Sequence, residues 1–484
     1  VRPLLVAAFG GALAALSLPP FGLFFLAPLG FLLLASTLAD GSRRARFGRA
    51  VAFFLVYFAV GLAWMAEFTL IGAPLVVVLE TLFMAAPMLL LPRRPQLALV
   101  ALPALVTLGE TLRYRLPFGG LPLGGFALGQ VNSPLLPVAR LAGDLGLVFV
   151  TVALGAGLTA LLRDTGERER GLRVVGVALV LVAVAPCVVG WRIGAPGRVG
   201  TLRVAYAQGG GPRGLSSVEN AGTDVYGNQV RATRRLRAGL DLVVWPEDVI
   251  DLPGPIRDDP IRDDVGAIAK QLGATLVAGV VEDSGETRFR NAAVAWDRSG
   301  KIVDRFEKVH RVPFGEYIPA RGLVKHFADI SAIPRDAIAG RGDGVLLTRH
   351  GELGVLISYE VFFADRALAA VHGGAQILLV PTNASSFRGR QVPAQEVAAA
   401  RLRAVETGRD LVQAAPTGHS AFVTANGDVS AVSKLGKRAA ASATLHRRKA
   451  STPFDRNGDR PMAIVIIGLL AIATVLDRTV KSTL

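Results

Sequence analysis

Long apolar runs dominate both ends of the chain, and short alternating runs fill the middle. Continuous apolar stretches lie near residues 3–18, 20–38, 48–66, 70–91, 96–113, 138–162 and 172–192, with one more near 461–477. A helix needs about 20 mostly apolar residues, within a range of roughly 17–25, to cross the hydrocarbon core of a bilayer. Each run therefore predicts a membrane span, about eight in all. The first is short and flanked by Arg2, like a secretory signal, but it lacks a cleavage site and runs into the turn Pro19-Pro20-Phe21-Gly22. It is expected to be a helix. The chain opens at Val1, which leaves room for an upstream tail.

Between 200 and 435 the period shortens. Strands are predicted at Leu202–Gln208, Leu242–Trp245, Thr275–Val281, Asn291–Trp296, Ile302–Phe306, Gly354–Ile357, Gln376–Val380 and Leu411–Ala414. Helical patterns fall at 216–238, 259–272, 363–373 and 393–408. Such alternation predicts an α/β domain with helices covering a sheet. Asp297-Arg-Ser-Gly300 and Asn426-Gly427 read as hairpin turns, so the sheet should be mixed. The stretch 437–460 is polar and basic and reads as a return linker. The expected organisation is a membrane domain of seven spans over 1–192, an α/β domain over 200–445, the linker's last part over 446–460, and a final span with its tail over 461–484.

Composition agrees with a membrane protein carrying one large insert: 51% of residues are hydrophobic and the mean hydropathy is +0.44. Arginines orient it. Arg43, Arg44, Arg46 and Arg49 follow the second run, Arg93 and Arg94 the fourth, and Arg163, Arg168, Arg170 and Arg173 the sixth. The positive-inside rule makes these loops cytoplasmic, with both termini inside and the insert on the extracytoplasmic side. Arg478 and Lys481 agree, whereas Arg113, Arg115 and Arg140 run against the bias. The loop 114–137 is rich in Gly and Pro yet apolar, and fits either a connector packed on helix ends or a re-entrant element beside a lipid-binding cleft. The net charge of +15 comes with no nucleic-acid-binding signature, and anionic lipid headgroups are its expected partner rather than nucleic acid. The single cysteine, Cys187, excludes an internal disulfide and a cysteine-based zinc site. The histidines have no metalloprotease spacing, so neither a metal nor a cofactor is expected.

Three reactive groups follow strand-like runs: Glu247 in Trp245-Pro-Glu247, Lys308 in Glu307-Lys-Val-His310, and Ser358 in Ile357-Ser-Tyr-Glu360. Strand ends are where open α/β sheets display catalytic side chains, so the three can converge. A carboxylate beside a nucleophile can take its proton, and a lysine beside both can stabilise an oxyanion. Glu316 and Glu360 would hold the lysine or shape the site. Taken singly, each residue reads as an ordinary loop, surface or core residue; the flanking words make coincidence improbable. The cluster Gly209-Gly-Gly-Pro-Arg-Gly214 lacks the following Lys-Ser/Thr of a phosphate loop, and no Gly-x-Ser-x-Gly surrounds Ser358.

These words resemble the carbon–nitrogen hydrolase (nitrilase) superfamily, whose members use Glu, Lys and Cys. The surrounding spans narrow the resemblance to the apolipoprotein N-acyltransferase family. It extends to Leu18-Pro-Pro-Phe-Gly22, Gly124-Gly-Phe-Ala-Leu-Gly-Gln130, Ala207-Gln208, Asn291, Thr382-Asn383, Arg403-Ala-Val-Glu406, Thr417-Gly418 and Thr452-Pro-Phe-Asp-Arg-Asn-Gly-Asp459. The resemblance implies an αββα insert with Glu247 as general base, Lys308 as oxyanion stabiliser and position 358 as nucleophile. Glu316, Tyr359 and Glu360 would be supporting neighbours, and Phe314, Asn383 and Phe387 would contact substrate. The implied reaction moves an acyl chain from a phospholipid to the enzyme, then to the amino group of a diacylglyceryl-cysteine in a lipoprotein. The implied enzyme works without a cofactor in the cell membrane, and a monomer is expected.

Two positions depart from the pattern. Ser358 stands where the family has cysteine, and Ala384-Ser-Ser-Phe-Arg-Gly389 replaces the family's Asp-Ala-Trp-Phe-Gly word in an acceptor-facing lid. A hydroxyl is a much weaker nucleophile than a thiol and needs a strong adjacent base. The serine is compatible with an introduced Cys→Ser change, with a natural enzyme of residual or altered activity, or with a non-catalytic lipid- or lipoprotein-binding homologue. A membrane-tethered amidase is a further alternative. The intact Glu247, Lys308, Glu316 and Glu360 favour an acyltransferase architecture with a weakened nucleophile.

Overall fold

The computed structural model describes residues 1–38, 41–163, 170–215, 224–326, 330–331 and 333–479. Arg168 and Lys481 of the charge pattern lie outside them. The chain divides into two compact units, Val1–Gly194 with Pro453–Leu484, and Ala195–Thr452.

The first unit is helical: α1 (Arg2–Ala15), α2 (Leu26–Leu38), α3 (Arg43–Gly61), α4 (Gly72–Ala85), α5 (Pro95–Arg113), α6 (Ala139–Leu162) and α7 (Arg170–Ile193), then a last helix over Arg460–Thr479. Five described helical segments are long and apolar enough to cross a membrane: Gly72–Leu90, Pro95–Arg113, Leu136–Leu162, Arg170–Ile193 and Arg460–Thr479. The helices α1 and α2 are apolar but shorter. The run 20–38 becomes helical only at Leu26, because the Pro19-Pro20 turn occupies its first residues. The run 48–66 starts earlier, at Arg43, where the Ser42 hydroxyl accepts a hydrogen bond from Ala45 N, the usual N-cap geometry. Lipid tails give no hydrophobic drive between helices, so close backbone approach supplies the packing. At Gly11 of α1 an added Cβ would fall 2.1 Å from the Phe53 carbonyl oxygen of α3.

A polar cluster ties this unit together. The buried Arg113 donates from Nε to Glu80 Oε2 at 2.6 Å, from Nη1 to Glu110 Oε2 at 3.2 Å and from Nη2 to the Leu123 carbonyl at 2.7 Å. Glu110 Oε1 accepts from Phe126 N, the Tyr57 hydroxyl donates to the Gly124 carbonyl, and Gln130 Nε2 donates to the Phe24 carbonyl. Phe126 stacks on Tyr57 with ring centroids 4.0 Å apart and sits beside Phe31. The loop 114–137 is therefore folded among the helices, buried from Pro122 to Val131. From Pro122 to Val131 its irregular backbone is enclosed by protein.

The second unit runs β1 (Arg198–Gln208), α8 (Val225–Thr233), β2 (Leu242–Val244), β3 (Ile250–Leu252), α9 (Ile261–Leu272), β4 (Thr275–Asp283), β5 (Arg288–Trp296), β6 (Ile302–Glu307), β7 (Asp336–Ala337), β8 (Val345–Thr348), β9 (Gly351–Val355), α10 (Ala364–His372), β10 (Ile377–Pro381), α11 (Gln391–Thr407), β11 (Leu411–Ala414), β12 (Ala421–Val423), β13 (Val429–Ser430) and β14 (Ala439–Arg448). One sheet has the order β14-β1-β2-β4-β5-β6, with β3 on β4 and β7 on β5; the other has the order β13-β12-β11-β10-β9-β8. Both are mixed, with parallel centres and antiparallel hairpins at the predicted turns.

The period of two sorts the side chains. Leu202, Val204, Leu242, Val244 and Val277 of the first sheet meet Val355, Ile377, Leu379 and Val412 of the second in one core. Ala205, Val243, Trp245, Leu276 and Val294 point the other way, against Ala232 of α8 and Val265 and Ala269 of α9. Strands buried on both faces read as continuous apolar runs, which is why the central ones were predictable.

Two expectations are corrected. The helical pattern 216–238 contributes the helix Val225–Thr233, followed by a loop; residues 216–223 of it lie outside the described residues. The stretch 437–460 is not a linker throughout: β14 pairs antiparallel with β1, Leu202 opposite Leu445, and a short helix follows at Pro453–Asn457. As an edge strand largely half-exposed, β14 carries few apolar anchors and so resembled a tether.

Removing one partner of a buried charged cluster leaves uncompensated charge, at about 3–5 kcal/mol. Arg113→Ala is expected to destabilise the protein by that amount in thermal unfolding in detergent. The triple replacement Glu80→Gln, Glu110→Gln, Arg113→Met should recover most of the loss.

Candidate active site

Glu247 leaves β2 through Trp245-Pro246, and the next residue, Asp248, has φ +58°. Gly279 of β4 lies directly against this turn: an added Cβ would stand 2.5 Å from Glu247 Cα and from the Pro246 carbonyl oxygen. The close approach fixes where the carboxylate emerges. Lys308 follows β6, its backbone N–H donating to the Asn291 carbonyl at 2.8 Å.

The three charged side chains meet. Lys308 Nζ donates to Glu247 Oε1 at 2.9 Å and to Glu316 Oε1 at 2.7 Å. Asn291 Nδ2 donates to the same two oxygens, at 2.8 and 3.3 Å. Glu316 Oε2 accepts from Val312 N at 2.8 Å, which folds the loop after Lys308 back on itself. The Lys308 side chain is only 3% exposed. Burial works against its charge, but Glu247 and Glu316 outweigh burial and push its pKa above the ordinary lysine range. An ammonium has three hydrogens. Two are taken here among the described residues, and one is left for a further oxygen.

Ser358 starts a 3-10 turn, Ser358–Phe362, after β9, with φ +51°. A non-glycine residue in the left-handed region marks a constrained position of the kind that clusters at active sites. Glu360 provides the constraint. Its Oε2 accepts from Ile357 N at 2.8 Å, while Oε1 accepts from Val309 N at 2.8 Å and His310 N at 3.1 Å, with Arg366 Nε 3.6 Å away. One buried carboxylate thus joins the serine turn to the segment just after Lys308. Burial raises its pKa, while Arg366 and the three amides draw it back. Tyr359 is buried, its ring edge-on to Phe363 at 5.0 Å.

Thr382, just past β10, places Oγ1 3.3 Å from Ser358 Oγ and 2.7 Å from Glu396 Oε1. Next to it, Asn383 Nδ2 donates to Asp248 Oδ2 at 3.3 Å, joining this strand end to that of β2. The ends of β2, β6, β9 and β10 are therefore stitched together by side-chain hydrogen bonds. Phe314 is 52% exposed on the loop between Lys308 and Glu316, and Phe387 is half-buried on the loop after β10.

Sequence reasoning left Arg366 and Glu396 unnamed and gave Asn291 and Thr382 no role. Glu396 had a signal: it lies on the stripe of α11 that includes Val392, Ala399, Ala400 and Arg403, all buried. An acidic side chain on such a stripe is out of place unless partnered. Asn291 likewise is a buried polar residue just ahead of the apolar part of β5, Ala292–Trp296. Among the described residues no group of His, Cys, Asp and Glu could hold a metal ion.

Comparison with known proteins bears on what such a site belongs to. Residues 10–157 match the apolipoprotein N-acyltransferase N-terminal domain, and residues 203–450 match the carbon–nitrogen hydrolase family. An apolipoprotein N-acyltransferase of Mycolicibacterium smegmatis is 30% identical over 97% of this chain and 84% of its own length. One of Shewanella oneidensis is 27% identical over 96% of this chain and 94% of its own. The crystal structure of Saccharomyces cerevisiae Nit3, a nitrilase-superfamily member, aligns with 52% of this chain and 91% of that one at 19% identity and a TM-score of 0.39. With the helical unit and the carbon–nitrogen hydrolase domain matched in the same order, and relatives aligned almost end to end, the chain belongs to the apolipoprotein N-acyltransferase family.

Proposed function

We propose that this protein moves an acyl chain from a phospholipid, through an ester on Ser358, to the N-terminal amino group of a diacylglyceryl-cysteine in a bacterial lipoprotein. What supports the reading is the single buried ammonium of Lys308 shared by Glu247 and Glu316, with the constrained Ser358 turn fastened to the same segment by Glu360. Lys308 has a hydrogen free for the oxyanion of a tetrahedral intermediate, and Glu247 is the carboxylate placed to accept protons during transfer. Glu316 and Asn291 hold the lysine and the glutamate in position. Tyr359 and Glu360 are assigned as supporting neighbours, and Phe314, Asn383 and Phe387 to substrate contact, the exposed Phe314 ring being suited to an acyl chain.

The protein works as a monomer in the bacterial cell membrane. On this reading about eight spans cross the membrane, and the arginine-rich loops support both termini in the cytoplasm with the carbon–nitrogen hydrolase domain on the other side. The bilayer itself delivers the acyl donor. Turnover is slow because a serine hydroxyl replaces a thiol, and a thiol reaches its nucleophilic anion near neutral pH far more readily.

Intact-mass measurement after incubation with phospholipid tests the reading. Ser358→Cys is expected to gain one acyl group faster than the unaltered protein and pass it to a diacylated lipopeptide; release of free acid or ammonia from small amides, with no acyl adduct, would establish an amidase instead. In either background Lys308→Met should slow acylation by about 10²–10³-fold, the usual effect of losing one oxyanion donor. Gly279→Ala displaces the Glu247 backbone and should cost about 10²-fold through misplacement alone, read in the same assay with circular dichroism to confirm folding.

A further inference from the structure

We propose that three loops at the catalytic end of the second unit form a binding site for the phosphate of the phospholipid acyl donor. The proposal rests on the acyltransferase reading of the site and adds what recognises the donor's headgroup.

The loops are 209–214, 384–390 and 431–438, and the topology brings them to one rim. Strands β1 and β2 are parallel, as are β9, β10 and β11, and β14 runs antiparallel to β1 with Ala439 opposite Gln208. The first loop therefore leaves β1 beside the turn that carries Glu247. The second follows Thr382 and Asn383 out of β10, and the third leads into β14. Gly210 N donates to the Pro416 carbonyl, just past β11, at 2.8 Å and joins the two sheets at this end.

The glycine-rich stretch 209–214 is the bridge. Gly211 N donates to the Gly436 carbonyl at 3.1 Å, and Gly214 N to the Ser385 carbonyl at 2.8 Å. Two of its positions have room only for glycine. Gly210 has φ +72°, and an added Cβ would stand 2.6 Å from Arg438 N; Gly214 has φ +109°, and its Cβ would stand 2.5 Å from Arg388 Nε. Two arginines complete the frame. Arg213 donates to the carbonyls of Arg388 and Gly389, at 3.2 and 2.9 Å. Arg438 donates to Asn228 Oδ1 at 2.8 Å and to the Gly209 carbonyl at 3.3 Å.

The frame gathers charge of one sign. The three loops contain Arg213, Arg388, Arg390, Lys434, Lys437 and Arg438, and no Asp or Glu. Arg388, Arg390, Lys434 and Lys437 are exposed. Arg390 and the two lysines make no ion pair or side-chain hydrogen bond among the described residues. Like charges held close repel one another, and a bound anion relieves that cost. Lysine and arginine are also the side chains that hold phosphate, arginine through paired N–H groups. A cavity of about 340 Å³ opens among Lys434, Lys437, Arg438 and Tyr206, at the small end of the roughly 300–1,000 Å³ usual for ligand pockets. That size suits a headgroup rather than an acyl chain. In a phospholipid only the glycerol carbons separate the phosphate from the ester group. A donor with its carbonyl at Ser358 must therefore place its phosphate near the loops that leave the neighbouring strands.

Acyl-enzyme formation by the full chain carrying Ser358→Cys, followed by intact mass in detergent micelles, tests the site. The donors are phosphatidylglycerol and a diacylglycerol with the same acyl chains but no phosphate. Replacing Arg388, Arg390, Lys434 and Lys437 together by Gln should slow acylation from subsaturating phosphatidylglycerol about 10–100-fold, the range for losing hydrogen bonds to a charged group. The rate at saturating donor should change little. Diacylglycerol should react slowly with the unaltered loops and show no comparable loss, and added salt should slow only the phosphatidylglycerol reaction. A control variant loses the same charge elsewhere, with the exposed Arg257, Lys270, Arg298 and Lys301 replaced by Gln, and should behave as the parent. Equal losses with both donors would mean that the loops merely support the site. An equal loss in the control would reduce the effect to bulk charge, and diacylglycerol reacting as fast as phosphatidylglycerol would remove phosphate recognition. Each of these overturns the proposal. So does inorganic phosphate that binds the loops in titration calorimetry while donor kinetics ignore the substitutions, which would make this a site for free phosphate. No acyl adduct from either donor, in any variant, would instead remove the acyltransferase reading and the proposal with it.

Discussion

One ammonium held between two carboxylates is the interaction on which the rest of the insert's working end depends. Lys308 is removed from water, and desolvating a lone charge costs several kcal/mol even after relaxation. Only the two glutamates make that burial tolerable. They come from different places, Glu247 from the turn after β2 and Glu316 from the loop after β6. Their meeting at one nitrogen therefore fixes two backbone segments relative to a third, Asn291 of β5, which bonds to both. The assembly carries one negative charge in excess. A site with that balance can supply a proton acceptor and a cation at once, which is what acyl transfer needs.

The helical unit solves a related problem with the same stoichiometry. Arg113 lies between Glu80 and Glu110, again one cation and two carboxylates, all buried. What differs is the donor geometry. A guanidinium carries five N–H groups in a fixed fork and can reach a backbone carbonyl as well; here it takes that of Leu123. The arginine cluster thus organises a loop, while the lysine cluster leaves a donor over. Lys cannot replace Arg in the first without orphaning the Leu123 carbonyl.

Much of this was legible in the sequence because burial on both faces writes itself as unbroken apolar runs. The central strands β1, β2, β4, β5, β10 and β11 are such runs; Glu247 follows one of them, while Lys308 and Ser358 follow β6 and β9. What the runs could not reveal were segments too short or too exposed to carry a period. The strands β3, β7 and β13 have two or three residues each, and β14 is an edge strand that passed for a tether. The loop 114–137 was ambiguous for another reason: its burial depends on Arg113, Glu110 and Tyr57 from elsewhere, which composition does not disclose. Glu396 was missed because the small alanines at 394, 398, 399, 400 and 404 blur the inward stripe of the helix; only the surroundings of α11 turn an ordinary glutamate into a buried one.

The serine is the place where local rules and global fold disagree most. Its left-handed backbone and the Glu360 clamp tie it to the segment that follows Lys308. A hydroxyl there is chemically underpowered if Glu247 is its only base, since that carboxylate is already committed to two donors. A strained φ costs of order 1–3 kcal/mol and persists only where the surroundings enforce it. Here the surroundings do enforce it, through three backbone donors on one buried glutamate. A second carboxylate then stands one hydroxyl away from the serine with an oxygen unused. Enforced strain and a carboxylate oxygen without a hydrogen-bond partner thus lie on either side of the same hydroxyl.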